Sequence, residues 1–187
     1  MSKLLYIHGF ASCGIGQKST ALRNYFGDDI VVSPDLPYAP DEVVTLLEDT
    51  IRRNDISLLV GSSLGGFYAT VLAERFALQA VLINPSVHPY ETLAPYVGEN
   101  HRFCDNALFE WKSEYLDGLR RLFVEPRNGD YLVLLQSGDE VLDYRIARRR
   151  YEKHRVMVEY GGNHRFENIE DYMCMIAQFS DLPPQGC

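Results

Sequence analysis

Gly61-Ser62-Ser63-Leu64-Gly65 sets a serine between two glycines, at the junction of the apolar run Ile56 to Val60 and the helical pattern from Leu64 to about Phe76. This G-x-S-x-G spacing suits nucleophilic chemistry. The strand-to-helix turn is so tight that a Cβ at either flanking position would strike the neighbouring strand or helix, and it projects the central hydroxyl. The N-terminal amides of the following helix point at the same turn, so negative charge developing beside Ser63 would meet unpaired donors. Five positions alone recur by chance in glycine-rich turns. Here the apolar strand before them and Phe67, Tyr68, Ala69, Val71, Leu72 and Ala73 after them supply the frame of a nucleophile elbow.

A serine hydroxyl is a poor nucleophile near neutral pH and needs a base to take its proton. Of five histidines, His164 stands apart. It closes Tyr160-Gly161-Gly162-Asn163-His164, after the last strand-like run and before the last helical one, where a loop can reach the carboxyl edge of a sheet. His8 ends the first strand-like run and reads as a turn histidine bonded to backbone, while His88, His101 and His154 read as surface or structural. The imidazole needs a carboxylate to fix its tautomer and stabilise its cation. Asp139, in Ser137-Gly138-Asp139-Glu140, is the preferred candidate, with Asp143 and Glu140 as rivals. Asp143 reads better as the N-cap of the helix that begins at Tyr144, and Glu140 is expected to point away on the adjacent turn. The order Ser63, Asp139, His164 is that of α/β-hydrolases. Oxyanion donors are expected from the backbone N–H of Leu64 and of Phe10, the latter in the loop His8-Gly9-Phe10-Ala11-Ser12.

The elements that must hold these residues alternate along the chain. Strand-length runs at Leu4 to His8, Asp29 to Ser33, Ile56 to Val60, Gln79 to Asn84, Tyr131 to Gln136 and Arg155 to Tyr160 are separated by turn residues. Helical patterns fall at about Gln17 to Phe26, Asp41 to Arg53, Leu64 to Phe76, Asp143 to Lys153 and Glu167 to Phe179. This alternation predicts an α/β fold with a mainly parallel sheet of about six strands and helices on both faces. Residues 85–129 break the rhythm, with a Pro-rich start, a polar middle at Gly98 to Asn106 and an amphipathic Trp111 to Phe123. They are expected to form a small cap-like insertion that lines or shades the pocket at the strands' carboxyl ends. Residues 181–187 are expected to be a loose tail.

Bulk properties narrow the function classes. The 187 residues suit a single domain with a proper core, with 46% hydrophobic and 24% charged residues. A formal charge of −8 disfavours nucleic acid and anionic membrane surfaces as partners. No apolar run approaches the roughly 18 residues of a membrane span, and Leu4-Leu5-Tyr6-Ile7 is too short for a signal-peptide core. The four cysteines have no metal-ligand spacing and are expected to be reduced thiols in a cytoplasm; Cys187, as the last residue, makes no prenylation box. Arg145, Arg148, Arg149, Arg150 and Lys153 form a basic run, read first as a solvated helix face and second as a grip for a phosphorylated substrate.

Taken together, His8-Gly9-Phe10, Gly61-Ser62-Ser63-Leu64-Gly65-Gly66, Gln136-Ser137-Gly138-Asp139-Glu140-Val141-Leu142-Asp143-Tyr144 and Gly161-Gly162-Asn163-His164 resemble the motifs of YqiA-like bacterial esterases, members of the α/β-hydrolase superfamily. The resemblance runs from about Leu4 to Phe179, although Val97 to Arg127 matches no motif. It implies a nearly capless hydrolase for short acyl esters, and also for acyl-CoA thioesters, with Ser63, Asp139 and His164 as its reacting residues. No metal or organic cofactor is required. Two other classes compete. Gly9 to Ser19 loosely resembles a phosphate loop but fails it, because Gln17 separates Gly16 from Lys18. A hydrolase fold used only for binding is the other rival.

Overall fold

The computed structural model describes residues 2–180 and 182. Six strands form one parallel sheet: β1 (Lys3–Ile7), β2 (Val31–Val32), β3 (Ile56–Ser62), β4 (Gln79–Ile83), β7 (Asp130–Gln136) and β8 (Arg155–Glu159), in the order β2-β1-β3-β4-β7-β8. Successive side chains of a strand face opposite ways, so a sheet covered on both sides must be apolar on both. Leu5, Ile7, Leu59, Leu82 and Val133 enter one core, and Leu4, Tyr6, Val60, Val81 and Leu134 the other.

The first core lies under α2 (Pro40–Arg53) and α3 (Leu64–Phe76), and the second under α1 (Gln17–Phe26) and α7 (Met173–Phe179). Helix α2 buries Val43, Val44, Leu47 and Ile51 on one side. Pro40 occupies its first turn, Asp41 and Glu42 face its positive end, and Arg52 and Arg53 its negative end. Helix α3 is buried on nearly every side from Leu64 to Ala73, as the apolar character of that stretch requires.

The strand order places a topological switch. From β1 the chain moves to β2 on one side, then returns to β3 on the other, so the loops after β1 and β3 diverge and leave a crevice at their carboxyl ends. The loop His8 to Ser12 and the Ser63 turn both border it.

The insertion contains α4 (Pro89–Thr92), a 3-10 turn (Ala94–Tyr96), an antiparallel ribbon of β5 (Gly98–His101) and β6 (Leu108–Trp111), and α5 (Ser113–Leu122). Residues Gly98–His101 of the polar middle pair as β5 because Phe109 and Trp111 of β6 turn inward and anchor the ribbon. Helix α6 (Tyr144–Arg150) starts after its N-cap Asp143, whose carboxylate accepts the Arg145 N–H.

Three expectations need correction. Cys13 and Cys104 are disulfide-bonded, with Cα atoms 6.2 Å apart, because the ribbon folds back onto the loop after β1 and the Phe103 N–H donates to the Ala11 carbonyl. The last helical pattern begins late: residues Ile169–Tyr172 form a 3-10 turn, and Asn168 commits its side chain to Glu159 and Gln136 instead of a helix start. Leu182 is not part of a loose tail but buried in the second core. The remainder of that expected tail, with Cys187, lies outside the described residues.

Candidate active site

Ser63 occupies the turn between β3 and α3 with φ 54° and ψ −120°, a conformation that side-chain-bearing residues rarely adopt. Its surroundings impose it. The Ser63 N–H donates to the Ile83 carbonyl at 3.0 Å, and the Ser63 carbonyl accepts from Gly66 at 2.9 Å and Ser86 at 3.0 Å. The glycines are demanded by space: a Cβ on Gly61 would lie 2.3 Å from the Gly65 carbonyl oxygen, and one on Gly65 only 1.9 Å from that of Ile7.

The structure brings Ser63, His164 and Asp139 into one hydrogen-bonded line. The His164 ring approaches the Ser63 Oγ with Nε2 at 3.0 Å and the Asp139 carboxylate with Nδ1 at 2.8 Å. A proton on Nδ1 donates to that carboxylate, which leaves Nε2 to accept from the serine hydroxyl. The Asp139 side chain is only 2% exposed, and its Oδ1 also accepts the N–H groups of Val141 and Leu142 at 2.9 and 2.8 Å. Those two donors and the His164 ring leave the buried carboxyl group with hydrogen-bond partners on both oxygens. A hydroxyl, a neutral imidazole and a buried carboxylate in this sequence can move a proton off the hydroxyl and keep the resulting imidazolium stable.

The loop that carries His164 is stitched to the sheet by groups sequence reasoning did not single out. Asn84, at the end of β4, accepts the Gln136 N–H and donates to the carbonyls of Asn163 and His164. Gln136 in turn accepts the Asn163 N–H and donates to Glu159 and Asn168. Both side chains are buried, and a polar residue ending an otherwise apolar strand was their one sequence signal. Glu140, expected to point away, instead accepts the His164 backbone N–H at 2.9 Å, because the acid turn and the histidine loop run side by side and Gly138 bonds to Gly161.

The other histidines stand elsewhere. His8 directs Nδ1 to the Gly9 carbonyl and accepts the Leu36 N–H at Nε2, and burial holds its pKa below the ordinary histidine range, so it stays a neutral turn residue. His88 stacks on Phe123, while His101 and His154 sit against the Asn106 and Pro126 carbonyls. Phe10 and Leu64 border a pocket beside Ser63, and among the described residues neither backbone N–H meets an acceptor. Rings of the insertion enclose it: Phe10 packs edge-on against Trp111 and Phe109, and Tyr38 stacks on Phe109.

The basic run divides. Arg145 pairs with Asp143, and Arg150 packs over the Phe123 ring and reaches the Val124 carbonyl, leaving Arg148, Arg149 and Lys153 exposed. Lys18 donates to the Arg165 carbonyl, and the Gly14 N–H to Asp35, so the loop after β1 is tied down by protein groups and does not form a phosphate cradle. Among the described residues, no helix is long and apolar enough to cross a membrane.

Comparisons with known proteins fit this architecture. A UPF0227 protein of Yersinia pseudotuberculosis serotype O:1b is 26% identical over 187 residues, covering 96% of this chain and 99% of its own. Est1E from Butyrivibrio proteoclasticus, solved with ferulic acid bound, superposes with a TM-score of 0.71 at 15% identity, covering 94% of this chain and 86% of that one. The mouse alpha/beta hydrolase domain-containing protein 10 gives 0.72 at 16% identity over 94% and 88%. Likeness at that identity establishes the α/β-hydrolase fold. The match to the uncharacterised protein family UPF0227 extends over residues 3–181, and the chain belongs to that family, the one its YqiA-like motifs resemble.

Proposed function

We propose that the protein is a serine-dependent carboxylic-ester hydrolase for short acyl esters. The observation that carries this reading is the line Ser63 Oγ, His164 Nε2 and Nδ1, Asp139 carboxylate, placed at the switch point of the sheet. In this mechanism the Ser63 oxygen attacks the acyl carbonyl as His164 takes its proton, and Asp139 stabilises the imidazolium. The N–H groups of Phe10 and Leu64 receive the oxyanion, where one such donor typically supplies about 3 kcal/mol. His164 then protonates the departing alcohol, and a water deprotonated by His164 releases the acid from the acyl-enzyme.

Support also comes from the neighbours, among which are an esterase domain from Rhodothermus marinus and a monoacylglycerol lipase from Paleococcus ferrophilus. A thioesterase or acyltransferase would use the same three residues. A coenzyme A substrate would call on the basic run, but Arg145 and Arg150 are already engaged within the protein, so the ester reading stands first.

The test is hydrolysis of p-nitrophenyl esters from acetate to palmitate, together with acyl-CoA substrates, by wild type and Ser63→Ala. Turnover that disappears in the variant, with stoichiometric fluorophosphonate labelling of Ser63 in wild type, is the expected result. Absence of both in wild type would leave the fold as a binding module.

A further inference from the structure

The pocket beside Ser63 is lined by Phe10, Leu64, Tyr38, Val43, Tyr68 and Trp111 among others, and it holds a cavity of about 20 Å³ that opens partly to solvent. That admits one group the size of a water, a hydroxyl or a methyl. Two of its walls are unusual for an apolar slot. Tyr68 and Trp111 are each 1% exposed, and among the described residues the Tyr68 hydroxyl and the Trp111 Nε1–H have no hydrogen-bond partner. A buried donor without a partner costs about 1–3 kcal/mol, and Phe at either position would avoid that cost.

The two orphans specify what would satisfy them. An indole N–H only donates, so the complementary group must offer an oxygen lone pair. Burial, and secondarily the negative field of Asp41, push the Tyr68 ionisation far above the ordinary phenol range, which keeps this hydroxyl a donor as well. The chain's formal charge of −8 works against a carboxylate and leaves a neutral oxygen.

The pocket's position assigns it to one half of an ester. It is bounded by Phe10 and Leu64, whose amides would hold the carbonyl oxygen, and by the loop after β1. A leaving alcohol must lie against the His164 Nε2 that protonates it, and His164 is not among the residues that line this pocket. The acyl half therefore faces it. Resting on the esterase reading above, we propose that the pocket selects short acyl groups that carry a neutral oxygen, hydroxyacyl or ketoacyl esters, through hydrogen bonds from Trp111 and Tyr68. The reaction remains hydrolysis, ester and water giving acid and alcohol.

The experiment uses p-nitrophenyl esters in matched pairs that exchange a terminal methyl for a hydroxyl: propionate with glycolate, and butyrate with 3-hydroxypropionate. In wild type, kcat/KM for the hydroxyl member of at least one pair is expected to exceed that of its isostere by tenfold or more. Tyr68→Phe and Trp111→Phe should each shrink that ratio several-fold. Equal rates within every pair, or a preference that survives both substitutions, would overturn the proposal. Should Trp111→Phe not fold, Tyr68→Phe alone decides. Its free enzyme is expected to melt at an unchanged or higher temperature, because the hydroxyl it loses has no partner; a marked fall would show that a buried water already serves that hydroxyl, and would also overturn the proposal. Loss of Ser63-dependent turnover for both members of all pairs is a different result, which removes the esterase reading itself and this proposal with it.

Discussion

Glu140 accepts the backbone N–H of His164 at 2.9 Å, while its neighbour Asp139 accepts the ring Nδ1–H of the same residue at 2.8 Å. Two successive carboxylates thus hold one histidine, the first by its ring and the second by its main chain. In the ester mechanism Glu140 is a positioning residue. Glu140→Ala should lower kcat about tenfold with little change in KM, since small misplacements of a catalytic group cost rate before binding. Glu140→Gln keeps an acceptor oxygen and should restore most of the rate; equal losses in both variants would show that the bond does not position the ring. The His164 N–H is the main cause that holds the Glu140 carboxyl below the ordinary glutamate range. That bond favours the ionised form, so it is intact above the ordinary range and is lost as pH falls through the depressed value.

Strain at Ser63 gives a second prediction. A φ of 54° with ψ −120° costs a serine about 1–3 kcal/mol, and glycine adopts it freely. Ser63→Gly should abolish ester hydrolysis yet raise stability by about 1 kcal/mol relative to Ser63→Ala, which keeps the Cβ. Denaturant titrations of the two variants measure the difference. Equal stability would mean that neighbouring contacts, rather than backbone strain, dominate the turn.

What sequence could reveal divides along physical lines. Elements with a strong periodic pattern and defined ends were legible: α3 begins at Leu64 and ends at Phe76 as read, and the six parallel strands fall within their expected runs or extend them by a residue or two. The juxtaposition of Ser63, Asp139 and His164 followed because each ends a strand at the same edge, a property of chain order. The ribbon β5–β6 was not legible, since Gly98-Glu99-Asn100-His101 has no apolar alternation and pairs only because Phe109 and Trp111 are buried opposite. Nor was the Cys13–Cys104 bond or the Asn84–Gln136 network, which join residues 91 and 52 positions apart through tertiary packing alone.

Glu74, near the end of α3, gathers four donors: the N–H groups of Arg127, Asn128 and Gly129 and the Tyr131 hydroxyl, the last at 2.6 Å. It fastens the returning end of the insertion to the start of β7. Burial alone would raise its pKa, but the bonds from Tyr131 and the three amides outweigh it and hold the carboxyl below the ordinary glutamate range. A depressed folded-state value means that this stabilisation is complete above the unfolded pKa of about 4.3 and disappears as pH falls through the folded one. Glu74→Gln should cost about 2 kcal/mol at pH 7 and flatten the loss of stability below pH 4.3. Parallel acid titrations of wild type and variant would expose the idea as wrong if their slopes agreed.

The disulfide supplies the last prediction. Cys13 lies in the loop after β1 that carries Phe10, and Cys104 at the tip of the ribbon that carries Phe109 and Trp111, 91 positions further along the chain. Closing so long a loop restricts the unfolded chain, an effect of about 2–4 kcal/mol in typical cases. Dithiothreitol should therefore lower the melting temperature of wild type and leave Cys104→Ala, already shifted down, unmoved. The Phe103 N–H bond to the Ala11 carbonyl at 2.7 Å crosses the same boundary, and Arg102 pairs with Asp35 in the loop after β2 at 3.9 Å, so the ribbon should stay docked after reduction but with less margin. Because Trp111 packs against Phe10, any loosening reaches the oxyanion loop, and reduction is expected to lower kcat more than it raises KM. A melting temperature indifferent to dithiothreitol, with four titratable thiols in the untreated unfolded protein, would show that the pair is reduced in solution, the state a cytoplasmic thiol pool favours.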